Sequence, residues 1–569
     1  MQETIMPIEL LPSGLFLLGA LIAGFSSQRM AAVVALLTPV IAALVALSVL
    51  SPGASASWSV MAYELEVVRA DHFNLILVGL FHLAAFIAAI YALDVRDRLQ
   101  HAALLVYIAG GIGAVLAGDL ISLFVFFELI ALGGTLLIMA GRTEASLRAG
   151  VRYLVFQVAA GVTLLAGILT YASATGDFSF GTIGLNNPGG WLILLAFGIK
   201  SGFPLVHVWL VDAYPKASLT GLAVLVAVTT KVGIYGLTKG FAGESVLVVI
   251  GTVMALWPLF YALVENDLRR VLAYTMMVQL GIMVVAAGIG SDLAIDGIAM
   301  HIVMDVLFKM TLFMALGAVL FRVGTTRADQ LGGLWRAMPV TTVCVAIAVA
   351  ANAAMPLTGA FMSKKLLMGA IQYSDYPIAL WLVLLSLSGL SMLYLGVRIL
   401  WQGFLRPSDE SRSEVRDAPW PMAVAMLIPV ALLLLAGWMP GLTEFMRPQG
   451  SDYWPINGLK IFGQLQLLAF ALLFYVLLAR SGFGLPKSRP AGWLDAEWLY
   501  LRALPALAVK GRDSLGQMRD VAVEMSGKIF VPPGDGRLSA TLGRTWPTGS
   551  MALWVAILLA ALLIFGIRS

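Results

Sequence analysis

The chain has 569 residues, of which 60% are hydrophobic and only 12% charged, with a mean hydropathy of +0.91 and a formal net charge of +4. Soluble domains carry about 25% charged residues and could not hide this much apolar surface, so a soluble enzyme is excluded. Cys344 is the lone cysteine, which excludes a disulfide, a cysteine-held iron–sulfur cluster and a zinc ribbon on this chain; no cofactor or metal site is expected.

The apolar residues come in runs, among them 31–50, 73–93, 219–240, 419–439 and 551–567, each near the ~20 residues that cross a ~30 Å hydrocarbon layer. They lack the period-2 alternation of barrel strands, so the expected fold is an all-α polytopic membrane protein. A pass along the chain gives about sixteen spans, about fourteen of them core transmembrane helices. The first run follows an acidic, proline-bearing leader, MQETIMPIELLPSG, without a basic n-region, and is expected to stay as a span.

In chain order, residues 1–101 carry few internal charges and are expected to form scaffold helices. Residues 102–405 hold nearly every polar group inside a span. Two helices there are interrupted, each with a lysine and a proline: FGIKSGFPLVHVWL has Lys200 four residues before Pro204, and AAMPLTGAFMSKK has Pro356 eight residues before Lys364. Paired broken helices in corresponding places suggest an inverted repeat of spans 4–8 and 9–13. Further core helices are expected over 406–480 and a final span over 549–569. Between them, within 481–548, Leu504, Leu507, Leu515, Met518, Met525 and Ile529 recur at helical steps and suggest an amphipathic helix on the cytoplasmic face or on a partner. The basic loops 94–101, 142–152, 265–270, 322–336 and 405–416 fall on one side of the bilayer. Positive-inside logic makes that side cytoplasmic and puts the N-terminus outside, in a bacterial inner membrane. These loop charges set topology and do not suggest a nucleic-acid partner.

The chemistry lies in the ionisable groups placed mid-span, each costing about 2.5–3.5 kcal/mol at the centre of a membrane helix. They are Glu128, Lys200, Lys231, His301, Asp305 and Lys309, with Lys364 beyond the second break. Lys309 is roughly 20 Å from either end of its helix at 1.5 Å per residue, too deep to snorkel. Lysines outnumber acids, so ion pairing alone does not account for the set. A desolvated lysine releases its proton more readily than one in water, which suits proton uptake and release. His301, Asp305 and Lys309 follow at i, i+4, i+8 and line one helical face, where Asp305 could hold Lys309 charged or exchange a proton with it.

These stretches resemble the antiporter-like subunit family shared by Mrp cation/proton antiporters and respiratory complex I, over about residues 70–440. FVFFEL is similar to the motif with the family's glutamate, here Glu128. FGIKSGFPLVHVWLVDAYP resembles the signature with its pumping lysine, here Lys200, and a histidine, here His207. VTTKVGIYGL supplies Lys231, and ENDLRRVLAYTMMVQLGIM resembles the motif that begins at Asp267, Arg269 and Arg270. HIVMDVLFKMTLFMALG is similar to the helix with the central lysine, here Lys309, and AMPLTGAFMSKK to the second broken helix, with Lys364 at its exit-side position. The chain departs where the family commonly has proline (Val211), histidine (Tyr214) and a second histidine (Asp305).

The resemblance implies a proton-translocating subunit of a hetero-oligomeric membrane complex, with protons and sodium as transported ions. It implies a path from Glu128 and Lys200 through Lys231, His301, Asp305 and Lys309 to Lys364. Three settings stay open: a cation/proton antiporter, a redox-driven proton pump, and the membrane coupling subunit of an inorganic-carbon uptake complex.

Overall fold

Backbone N–H and C=O groups in hydrocarbon have no water to bond, so each apolar run closes its hydrogen bonds internally as a helix. The computed structural model describes residues 4–5, 11–60, 63–407 and 414–481, with a few isolated positions between 496 and 506. Nearly all of these lie in one unit, Met1–Ala496; a second unit is Glu497–Ser569. The amphipathic helix and final span expected within 481–548 and 549–569 fall outside the described residues, isolated positions aside.

The N-terminal helices are α1 (Pro12–Phe25), α2 (Gln28–Val49) and α3 (His72–Tyr91). Between α2 and α3 lies an element absent from the all-helical expectation. Strands β2 (Ala54–Val60) and β3 (Tyr63–Arg69) pair antiparallel with Ser55 opposite Arg69, and β1 (Thr4–Ile5) adds parallel to β2. Alternating small and larger residues in ASASWSV suit a strand, and the run is too polar to span.

The central helices are α4 (Arg98–Leu116), α5 (Leu120–Met139), α6 (Glu144–Thr175), α7 (Gly190–Ser201), α8 (Val208–Ala213), α9 (Leu219–Val224), α10 (Thr229–Phe241), α11 (Ser245–Val264), α12 (Leu268–Ile289) and α13 (Asp292–Val323). There follow α14 (Leu334–Ala337), α15 (Pro339–Asn352), α16 (Gly359–Gln372), α17 (Ile378–Leu395), which runs into a π-helical segment Gly396–Leu405, α18 (Trp420–Trp438) and α19 (Gly458–Arg480). Among the described residues, twelve helical stretches are long and apolar enough to cross a membrane, and Pro12–Phe25, Gly190–Ser201 and Pro339–Asn352 are shorter apolar helices. Length and composition alone do not reproduce the expected count of about fourteen, because α7 and α15 are cut short by the breaks.

Local structure recurs along the chain. Asp119 caps α5 and Asp267 caps α12 through their side chains, and each makes an isolated antiparallel bridge to a later loop, with Ser179 and Arg327 respectively. Helices α6 and α13 are each 32 residues long and end on left-handed glycines, Gly176 and Gly324. Both breaks carry proline followed by a left-handed leucine: Pro204 then Leu205 (φ 73°), Pro356 then Leu357 (φ 74°). Left-handed leucine costs about 1–2 kcal/mol, and surrounding structure must hold it there.

The core runs along α12 and α13, buried over nearly all their apolar length, whereas α19 turns most of its apolar surface outward. Close approach of α11 and α12 depends on absent side chains. A Cβ at Gly281 would sit 2.5 Å from the Ala255 nitrogen, and one at Gly251 2.6 Å from the Val285 nitrogen.

Candidate functional site

Helix α13, buried along its central length, organises the site. Its residues Asp305 and Lys309 have no exposed surface and His301 is 2% exposed. Asp305 Oδ2 accepts a 2.5 Å hydrogen bond from Lys231 Nζ on α10, and Lys231 is equally enclosed. The partner of Asp305 is therefore Lys231 and not Lys309, the neighbour suggested by the shared helical face. Lys309 turns instead to α12, where its Nζ donates to Thr275 Oγ1. One turn of the same helix separates the two groups, and different neighbouring helices satisfy them.

His301 bridges two other helices. Its Nδ1 lies 2.9 Å from Ser363 Oγ on α16 and its Nε2 lies 3.2 Å from Gln279 Oε1 on α12. Lys364 follows Ser363 directly, is 3% exposed, and lies within electrostatic reach of His301 and Lys309. Lys231, His301, Asp305, Lys309 and Lys364 thus form one buried set drawn from three helices, with Thr275, Ser363 and Gln279 as neutral partners.

Glu128 and Lys200 form a second set. They are electrostatic neighbours without a contact at ion-pair distance. Lys200 Nζ donates to the Phe127 carbonyl at 3.2 Å and sits 4.6 Å from the centre of the Phe127 ring. Glu128 lies against α6 at Gly161, where an added Cβ would collide with its carboxylate. The two sets approach through α7 and α10. A Cβ at Gly233, two residues past Lys231, would be 2.5 Å from Ser201 Oγ and 3.1 Å from the Lys200 carbonyl carbon. Along this contact Ser201 Oγ and Thr230 Oγ1 are buried without a hydrogen-bond partner among the described residues, as are both amide atoms of Gln157, one turn before Gly161 on α6.

Pro204 ends the first half of a broken helix. Phe203 N bonds back to the Gly198 carbonyl at 2.9 Å, and Trp209 Nε1 donates to the Ile199 carbonyl at 3.0 Å, so α8 closes groups that the break opens in α7. His207 is the buried N-cap residue of α8. At the second break Met355 N bonds the Ala350 carbonyl at 2.9 Å, and Gly437 of α18 packs so closely that a Cβ would collide with the Leu357 carbonyl.

Asp267 stands apart from both sets. It caps α12 and accepts from Thr326 Oγ1 at 2.9 Å, fastening that helix to the loop after α13. In this loop the Arg327 guanidinium, bonded to the Asp329 carboxylate, holds Asp329 below the usual carboxylate range. Another cluster joins Asp212 to Arg152 through hydrogen bonds of 2.7 and 3.0 Å, with Lys216 on the same carboxylate.

Sequence reasoning missed Thr275, Gln279, Asn352 and Ser363, the neutral groups that bond to the charged ones or continue from them. Single polar letters within TMMVQLGIMVV, AVAANAAMP and AFMSKK were the available signal, a weak one because such residues are frequent in membrane helices. Among the described residues, no group of three His, Cys, Asp or Glu side chains gathers as a metal site would require.

The fold and these sets define a multi-pass membrane protein with charges grouped in its interior. Residues 117–391 match the family described as NADH:quinone oxidoreductase/Mrp antiporter, TM. The chain is 26% identical over 413 residues to an Na(+)/H(+) antiporter subunit of Bacillus subtilis, covering 67% of this chain and 81% of that one. It is 29% identical over 388 residues to an NADH-quinone oxidoreductase subunit of Desulforudis audaxviator, covering 63% and 77%. Its fold resembles a chain of the Mrp complex from Dietzia sp., with a TM-score of 0.69 and 23% identity over 81% of this chain and all of that one. It also resembles a chain of an archaeal membrane-bound sulfane sulfur reductase, with a TM-score of 0.71 and 21% identity over 98% of this chain and all of that one.

Proposed function

We propose that the chain is a proton-translocating subunit of a multisubunit cation/proton antiporter of a bacterial inner membrane, with sodium as the exchanged cation. The observation that carries this reading is the Lys231–Asp305 pair, fully buried and flanked by Lys309 and by His301 with Lys364. A chain with no transport role gains little from burying three lysines around one carboxylate.

Two unit charges 4 Å apart at an effective dielectric of 20 interact by about 4 kcal/mol, so a proton leaving one group redistributes occupancy among its neighbours. In this scheme Glu128 steadies a protonated Lys200 without touching it. When a partner subunit weakens that hold, the proton moves past Ser201 and Thr230 towards Lys231, carried by water at those hydroxyls. Charge on Lys231 holds Asp305, and when Lys231 gives up its proton Asp305 is free to stabilise charge on Lys309. The proton then reaches Ser363, where His301 takes it up and returns it on the way to Lys364. The recurring capping aspartates, 32-residue helices and left-handed leucines support an inverted repeat of the two halves within 102–405. The basic loops support a cytoplasmic placement for that side and an outside N-terminus.

The same path would serve a redox-driven pump, a reading favoured by the similarity to an NADH-quinone oxidoreductase subunit. Tagging the chain, extracting it in mild detergent and identifying its companions by mass spectrometry separates the two. Small membrane subunits without a chromophore, together with sodium-dependent collapse of a pH gradient in everted vesicles, are expected. Flavin or iron–sulfur absorbance in the purified complex would move the chain to a redox pump, and a soluble zinc protein to inorganic-carbon uptake. Purification alone with intact exchange would refute the subunit reading.

A further inference from the structure

The central histidine is the end of a longer polar chain that leads away from the lysines. From His301 Nε2 it runs to Gln279 Oε1 at 3.2 Å, from Gln279 Nε2 to Asn352 Oδ1 at 3.3 Å, and from Asn352 Nδ2 to Ser391 Oγ at 2.6 Å. All four side chains are buried, none more than 2% exposed, and they come from α13, α12, α15 and α17. Asn352 occupies a telling place: it stands four residues before Pro356, as Lys200 stands four residues before Pro204. Where the first break carries a charge, the second carries a neutral amide.

The direction of this chain follows from its far end. With its proton turned to the Asn352 main-chain carbonyl, 3.4 Å away, Ser391 Oγ meets the Asn352 side chain as an acceptor. Asn352 then turns its NH2 to Ser391 and its oxygen to Gln279. Gln279 must turn its NH2 to Asn352 and its oxygen to His301. That oxygen can only accept, so the imidazole carries its hydrogen on Nε2 and presents the Nδ1 lone pair to Ser363 Oγ, 2.9 Å away. Ser363 also has the Ala360 carbonyl at 3.2 Å, and of the two acceptors the imidazole nitrogen is the nearer.

We propose that Gln279 and Asn352 are positioning residues that hold His301 as the Nε2–H tautomer, so that it exchanges protons only through Nδ1 and Ser363, on the side of Lys364. An amide does not take up and pass on protons as an imidazole or hydroxyl does, so the branch towards Ser391 orients the histidine and blocks leakage along α17. The consequence for transport rests on the function proposed above, whereas the tautomer itself does not.

The chain has five histidines, so nitrogen-15 NMR of histidine-labelled full-length protein, purified with whatever subunits accompany it, is tractable, and a His301→Gln spectrum assigns the signal. The wild-type ring is expected to be neutral with hydrogen on Nε2. Gln279→Leu and Asn352→Leu should each reduce the tautomer preference about tenfold, the factor set by a hydrogen bond worth about 1.4 kcal/mol. Gln279→Glu, whose carboxylate still accepts from Nε2, should retain it. Asn352 does not touch the ring, so a tautomer change in its leucine variant reports orientation relayed through Gln279 and not local packing. Hydrogen on Nδ1 in the wild type overturns the proposal, as does an unchanged tautomer in Gln279→Leu. The spectrum is read whether or not the protein moves cations, so failure here is distinct from failure of the antiporter reading. If Gln279→Leu does not fold, the wild-type and Gln279→Glu spectra still decide the matter.

Discussion

Lys231 on α10 and Asp305 on α13 meet at 2.5 Å with neither side chain exposed, although 74 residues separate them in the chain. Removing one member of a buried pair strands the other charge and costs about 3–5 kcal/mol, whereas replacing both by apolar groups is often neutral. Lys231→Met and Asp305→Leu should each lower the melting temperature in detergent, and the double variant should recover most of the loss. Sodium-dependent proton movement in vesicles should be absent from all three. A double variant as unstable as either single one would show that the two charges are not each other's principal partner.

Thr275 supplies the oxygen that receives the Lys309 ammonium. Thr275→Val keeps the shape and removes that acceptor, and leaving a buried donor unmatched costs about 1–3 kcal/mol. We expect slower exchange in Thr275→Val and near-normal exchange in Thr275→Ser, measured as initial rates across a pH series. Equal rates in both variants would remove Thr275 from the site.

Glu128 rests where Gly161 has no side chain. Gly161→Ala should push the carboxylate away from Lys200, reduce exchange strongly and destabilise the fold by about 1–3 kcal/mol, as overpacking generally does. Gly79 of α3 is a control, because a Cβ there meets nothing within 4 Å. Comparable activity in the two alanine variants would mean that the position of Glu128 is unimportant.

Helices α11 and α12 touch through Gly251 and Gly281. Gly281→Ala has to separate two backbones, and about 1–3 kcal/mol or more of stability should be lost, read as reduced yield and a lower melting temperature. Unlike Gly161→Ala, it should leave the exchange rate per folded molecule close to wild type.

Much of the site was legible because charge in an apolar run is conspicuous. Glu128, Lys200, Lys231, Asp305 and Lys309 stand out against 60% hydrophobic composition, and each break is marked by its proline. Pairing was not legible. The i, i+4 spacing of Asp305 and Lys309 suggested partners on one helix, whereas the short contact runs between helices. The strands β2 and β3 were missed because seven-residue polar strands carry no hydropathy signal beside membrane spans.

By itself the sequence determined the class of protein, the presence of helices and the places where two of them break. Those properties follow from local terms: the cost of an unpaired backbone in hydrocarbon, the geometry of proline, and the desolvation of each charge where it stands. Only the tertiary structure decided that Lys231 takes Asp305, that Lys309 turns to Thr275, that Lys200 lies near Glu128 without touching it, and that His301 is held between Ser363 and Gln279. Each of those choices depends on which helix faces lie within about 3 Å of one another, a distance set by packing of glycines and apolar side chains far from the charges in sequence.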